Sequence, residues 1–155
     1  MKKITILLDE YEVSHQNATN ETIHWICVPS IFFSITGLLY SVKIPLQIFD
    51  GHYLNLAIVA LILVMIYYLL KSISLFAGMF LFSSFCLAIC HYLEVHISFP
   101  LWGICLIIFT LAWIGQFFGH KIEGKKPSFL RDIQFLLIGP AWLMRFIYNK
   151  LGIKV

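Results

Sequence analysis

The sequence predicts an all-α integral membrane protein, with four transmembrane helices and a C-terminal re-entrant or interfacial helix pair. Three observations predict it. First, the 155 residues are 60% hydrophobic and 12% charged, whereas a soluble domain is about 45–50% apolar and about 25% charged. So few charges cannot cover a soluble globule of this size, and the apolar content excludes a disordered chain. Second, four stretches approach the ~20 apolar residues needed to cross a bilayer. Third, the cations fall almost entirely on one side of the topology those stretches imply. Length corresponds to a single membrane-embedded domain, residues 1–155.

The N-terminal segment, residues 1–22, opens Met1-Lys2-Lys3 and continues with a short apolar run that stops at Asp9-Glu10. A signal-peptide core needs ~7–15 apolar residues, so the segment reads as mature protein on the cytoplasmic side. The first span covers about 23–42, with Pro29 near its start, where a kink or a broken first turn is expected. The second, about 53–70, carries no charge. The third covers about 72–93 and the fourth about 99–118. A fifth apolar stretch, Ile133 to Tyr148, is interrupted by Gly139-Pro140 and contains Arg145. Its halves are too short to span, which favours a re-entrant or interfacial pair within the cytoplasmic-side region 119–155.

With four spans, both termini and the turn at Lys71 share one side. That side holds ten of the eleven cations, and the other holds Lys43. The positive-inside rule places both termini in the cytoplasm. The net charge of +3 is therefore a topology signal, and it carries no suggestion of nucleic acid. Cys27, Cys86, Cys90 and Cys105 all lie in apolar stretches without a CxxC pair, and read as buried thiols.

The six histidines separate by side. His52, His91 and His96 fall at the outer face and read as helix-end residues. His15, His24 and His120 fall at the cytoplasmic face among other polar groups. Ionisable residues near membrane depth usually face a cavity, a partner or an ion. On a helix, Trp113, Gln116, His120 and Glu123 form one stripe, spaced three, four and three apart. Gly119 beside His120 lets another backbone or a ligand come close, Pro127 is expected to end the helix, and Asp132 follows. An amide, an imidazole and a carboxylate in a row make half of a metal site.

The N-terminal segment offers the other half. Tyr11 and His15 are four apart, as are Asn20 and His24. His15 and His24 are nine apart, which on one helix turns them ~180° from each other. Both reach one centre only if the helix breaks between them or wraps the site. Asn17-Ala18-Thr19-Asn20 is a weak helix former and the expected break, with Asn20 as N-cap of the first span.

Tyr11-x3-His15-x4-Asn20-x3-His24-x4-Pro29 and Trp113-x2-Gln116-x2-Gly119-His120-x2-Glu123-x3-Pro127-x4-Asp132-x6-Gly139-Pro140 resemble the Mpo1-like family. This is a family of small membrane proteins that includes the fungal 2-hydroxy fatty acid dioxygenase. The resemblance covers nearly the whole chain. Cys27 stands where the family usually has glycine, and Ser128 where alanine is usual. The resemblance implies an iron(II)-dependent oxygenase that shortens 2-hydroxy fatty acids by one carbon. It implies His15, His24 and His120 as iron ligands, with Glu123 as a fourth ligand or the acceptor of a histidine N–H. Tyr11, Asn20, Gln116 and Asp132 would then orient ligands or substrate, while Lys121, Lys125, Lys126 or Arg131 would hold the substrate carboxylate.

Such a reaction is self-sufficient in electrons, because R–CHOH–COOH and O2 balance as R–COOH, CO2 and water. Fe2+ is the expected cofactor, and 2-hydroxy fatty acid, O2 and the bilayer are the partners. Neither a nucleotide cofactor nor nucleic acid is expected, since the chain has no Gly-rich nucleotide loop. Two other readings compete. A non-enzymatic scaffold or transporter subunit accounts for the spans but not for the polar stripe, and the paired repeats of transporters are missing. Another metal-dependent membrane lipid enzyme, hydrolase or desaturase-like, accounts for the histidines; desaturases, however, use more of them in paired clusters.

Overall fold

The computed structural model describes residues 4–13, 15–49, 52–124 and 129–154, with the side chains of all of these except 48, 49, 52 and 129–136. Among these residues six helices and one hairpin follow in the order α1 (Ile4–Glu12), α2 (Ala18–Tyr40), β1 (Lys43–Phe49), β2 (His52–Asn55), α3 (Leu56–Leu69), α4 (Ile73–His96), α5 (Leu101–Glu123) and α6 (Phe129–Lys150).

Three helices, α2, α4 and α5, are long and apolar enough to cross a membrane. At ~1.5 Å per residue each reaches ~35 Å, enough for a hydrocarbon core of ~30 Å. Their outer faces carry exposed Phe80, Leu81 and Phe85 on α4, and Leu106, Leu111 and Ile114 on α5. Apolar side chains turned outward in this number suit lipid rather than water.

The expected second span is shorter. α3 has 14 residues, ~21 Å by the same rise, because Tyr53, Leu54 and Asn55 leave it for β2. That strand pairs antiparallel with β1, Lys43 opposite Asn55 and Gln47 opposite Tyr53. Asn55 closes the strand and caps α3 by accepting from Ile58 N at 3.1 Å. The hairpin is a departure from an all-helical expectation.

The expected C-terminal helix pair is one helix. α6 runs through Gly139-Pro140 without a break, although an internal proline removes a backbone hydrogen bond and costs ~3 kcal/mol. Packing outweighs that cost, since residues 138–143 are all buried. Burying large side chains such as Trp142 and Leu143 stabilises by ~1.5–3 kcal/mol each. α6 closes the core, where Ile138, Ala141, Trp142 and Leu143 meet Leu8 and Tyr11 of α1, Val28 and Phe32 of α2, Met65 and Tyr68 of α3, and Leu75 and Met79 of α4. Arg145 reaches Asp9 at 2.6 Å, and Tyr68 donates to Leu137 O at 2.5 Å.

α2 and α5 form the largest helix interface. A Cβ at Gly115 would stand 2.7 Å from Cys27 Sγ, and one at Gly119 would collide with Asn20 Oδ1. Gly115-x3-Gly119 is thus the small-residue seam that lets two membrane helices approach closely. All four cysteines are free and buried, as read from the sequence.

Candidate metal centre

The break between α1 and α2 brings the two N-terminal histidines together. α1 ends at Glu12, and α2 starts at Ala18 behind an Asn17 N-cap, whose side chain accepts from Thr19 N and Asn20 N. The cap is therefore Asn17 and not Asn20, which is fully buried one turn further in. A break at residues 13–17 frees His15 from the helical register that would have pointed it away from His24.

His15, His24 and His120 now form the one group of metal-capable side chains among the described residues, with a ligand nitrogen from each lying within 4.8 Å of the others. All three are buried. His24 and His120 come from the facing spans α2 and α5, their rings 5.0 Å apart and nearly perpendicular. His15 Nε2 is 3.0 Å from His24 Nε2.

The proton inventory of this pair is informative. His15 Nδ1 bonds Tyr11 O at 2.6 Å, and His24 Nδ1 bonds Asn20 O at 2.9 Å. Carbonyl oxygens only accept, so each Nδ1 carries the hydrogen and each neutral ring presents a lone pair at Nε2. Two lone pairs facing each other at 3.0 Å repel unless a cation, a proton or a metal ion, lies between them. Imidazoles whose second nitrogen donates to a carbonyl are the usual form of metal-bound histidine. Together with a nitrogen of His120, these two make three imidazole donors, a set that suits a first-row divalent metal with open coordination positions. The residues present fit the group that the sequence pattern implies.

The remaining expected residues divide. Tyr11 stacks on His15 at 4.1 Å with an 18° tilt, and Gln116 lies near the His24 ring. Glu123, expected as a fourth ligand or as acceptor of a histidine N–H, stands outside the three-histidine group. Its carboxylate accepts from Gln16 N at 3.0 Å, Asn17 N at 2.9 Å and Asn20 Nδ2 at 3.1 Å. One side chain at the end of α5 thus holds the His15 loop and the N-terminus of α2. Negative charge is favoured at a helix N-terminus. Gly124, in the left-handed region at φ 73°, ends α5 at Glu123 and not at Pro127. Asn20 Oδ1 has no hydrogen-bond donor among the described residues; it sits where Gly119 gives up a side chain. Lys121 is exposed. The side chains of Arg131 and Asp132, and residues Lys125, Lys126, Pro127 and Ser128, lie outside the described residues.

Sequence spacing missed Trp142. Its ring stands 5.7 Å from His15 and 5.5 Å from Tyr11, so α6 walls the centre. Nothing in the spacing of α6 points to a histidine 127 residues earlier in the chain; only tertiary packing makes the contact. Gly115 was also missed, although its spacing from Gly119 was visible.

No solved structure matches. Residues 1–151 match the family described as 2-hydroxy-palmitic acid dioxygenase Mpo1-like. The chain is 32% identical over 146 residues to 2-hydroxy-palmitic acid dioxygenase MPO1 of Saccharomyces cerevisiae, covering 92% of this chain and 78% of the yeast protein. The histidine motifs, the membrane helices and this similarity meet in one conclusion: the chain belongs to the Mpo1-like family.

Proposed function

We propose that this protein is an iron(II)-dependent dioxygenase that converts 2-hydroxy fatty acids and O2 to the one-carbon-shorter acid and CO2, a step of fatty acid α-oxidation. The single observation that carries the reading is the His15–His24 pair, whose facing Nε2 lone pairs at 3.0 Å ask for a cation, with His120 beside both. The relative's name supplies the substrate class.

His15, His24 and His120 are the ligands in this reading. Iron is preferred to zinc because zinc has no redox chemistry. When bound, the metal would supply open positions for O2 and for the carboxylate and hydroxyl oxygens of the substrate. The chain's own part is positional. Tyr11 O and Asn20 O fix both imidazoles in the Nδ1–H form, and Gln116 steadies His24. Tyr11 and Trp142 cover His15 from water. Glu123 is a positioning residue that keeps the His15 loop against α5. Lys121 and Arg131 are the cations assigned to the substrate carboxylate, and Asp132 to orienting its neighbours.

The reaction balances without another reductant, because the C–H and C–C bonds of the substrate supply all four electrons. The centre lies at the cytoplasmic membrane face of one integral membrane domain, with both termini cytoplasmic, in a bacterial cytoplasmic membrane or the endoplasmic reticulum. The decisive test is metal analysis of the purified protein with O2 consumption on 2-hydroxypalmitate. A protein that holds no iron and consumes no oxygen would end the dioxygenase reading.

A further inference from the structure

An apolar cavity of about 190 Å³ lies between α2 and α3, lined chiefly by Phe32, Ile35 and Leu39 of α2 and by Ala57, Ala60 and Val64 of α3, with Leu137 of α6 at its edge. Its one hydroxyl, that of Thr36, already donates to Phe32 O at 2.9 Å. No polar group is left to hold water, and apolar cavities of this kind stay dry. Engineered cavities of ~150 Å³ accept the six carbons of benzene, so this one has room for roughly six to eight carbons.

Its position relates it to the histidines. His24, Val28, Phe32, Ile35 and Leu39 are spaced four, four, three and four apart, which puts them on one face of α2. The cavity therefore begins eight residues beyond His24 and ends fifteen beyond it, ~12 to ~22 Å along the helix. An acyl chain that fills one leaflet covers ~15 Å, half of the hydrocarbon core. Between the two sites Val28 packs on Gly139, where a Cβ would stand 3.1 Å from Val28 Cγ1 and 3.2 Å from the Tyr11 hydroxyl. The absent side chain lets α6 close on Val28 and Tyr11 there, so an acyl chain reaching the cavity would pass along this packed contact.

Resting on the dioxygenase reading, we infer that this cavity receives the methyl end of a long-chain 2-hydroxy fatty acid whose head lies at the histidines. Ala57 and Ala60 leave the space, so the α2–α3 gap measures chain length.

The test uses the full chain in lipid nanodiscs with 2-hydroxyhexadecanoic acid carrying a terminal diazirine. Irradiation and peptide mapping are expected to find the label on residues 32–39 or 57–64. Ala60→Phe, with Ala60→Leu as the milder variant, should cut that labelling and move preference from sixteen-carbon toward twelve-carbon acids by at least about tenfold, since each buried methylene contributes substantially to binding. Label confined to the outer faces of α4 and α5, or equal labelling of the cavity by a diazirine phospholipid, would overturn the assignment. So would a folded Ala60→Phe protein with an unchanged chain-length profile. Cavity labelling without oxygen consumption would remove the dioxygenase reading and leave the cavity assignment standing, so the two fail separately.

Discussion

His15 Nε2 lies 3.0 Å from His24 Nε2 while both rings spend their Nδ1 hydrogens on backbone carbonyls. The pair therefore presents two nitrogens in the form a metal would need, and the folded backbone already meets the cost of orienting the rings. That arrangement makes the following outcomes measurable.

His120→Ala removes the third nitrogen and leaves the His15–His24 pair. Bound iron should fall by at least about 100-fold in affinity, beyond the ~10–100-fold cost of losing a group that merely orients a ligand. Oxygen consumption should vanish with it, as inductively coupled plasma analysis and an oxygen electrode would record. Retained iron at wild-type affinity would remove His120 from the ligand set.

Glu123→Gln keeps the size of the side chain but replaces one acceptor oxygen by a donor facing Gln16 N or Asn17 N. Loss of stability of ~1–3 kcal/mol is expected, the range for leaving a hydrogen-bonding group unsatisfied. Metal affinity should weaken ~10–100-fold without disappearing. Thermal unfolding and iron titration separate this outcome from that of a direct ligand.

Gly115→Ala puts a methyl 2.7 Å from Cys27 Sγ, and overpacking of this kind costs ~1–3 kcal/mol. Cys27→Ala should recover part of the loss in the double variant, with a coupling of ~0.5–3 kcal/mol. Additive effects in a thermal double-mutant cycle would show that the two positions do not share one space. Cys27 is thereby tied to a specific neighbour.

Chelation of the metal should lower the unfolding temperature, because a ligand that binds the folded state at 100 times its dissociation constant contributes ~2.7 kcal/mol. Added iron(II) should restore the transition. Cleavage near residues 13–17 by a soluble protease should rise in the chelated protein and fall again on reloading.

A cysteine at position 43 and one at position 71, in a background without the native thiols, should react with a membrane-impermeant maleimide from opposite sides. Position 71 should share its side with position 15. Labelling of 15 and 71 from different sides would remove the proposed orientation.

Much of the centre was legible in the sequence because helices convert spacing into faces. The Gln116, His120, Glu123 stripe needed only a helix, and His15 and His24 needed only a break, which lies between Glu12 and Ala18, so that of the run expected to form it only Asn17 falls outside the helices. The hairpin was less visible: β1 and His52 fell between the first two expected spans and were given no structure, while Tyr53 to Asn55 were absorbed into the second by a hydropathy reading that does not distinguish a strand from the end of a span. Pro140 misled for a related reason. Local propensity marks it as a stop, while the burial of residues 138–143 is set by α1, α2 and α4, elements far away in the chain. For Glu123, spacing placed it near His120 but could not show the Gln16 and Asn17 backbone N–H groups that reach its carboxylate.

α1 packs on α6 through Tyr11 with Trp142 and Asp9 with Arg145, so the earliest histidine is held in place by the latest helix. The two spanning helices can bring His24 and His120 together as soon as they are inserted, but that is a pair of ligands and not a centre. If the three histidines are the ligands, the set is complete only once α6 is present to hold α1. Connectivity alone would then keep the proposed oxygen chemistry waiting until the chain around it is finished.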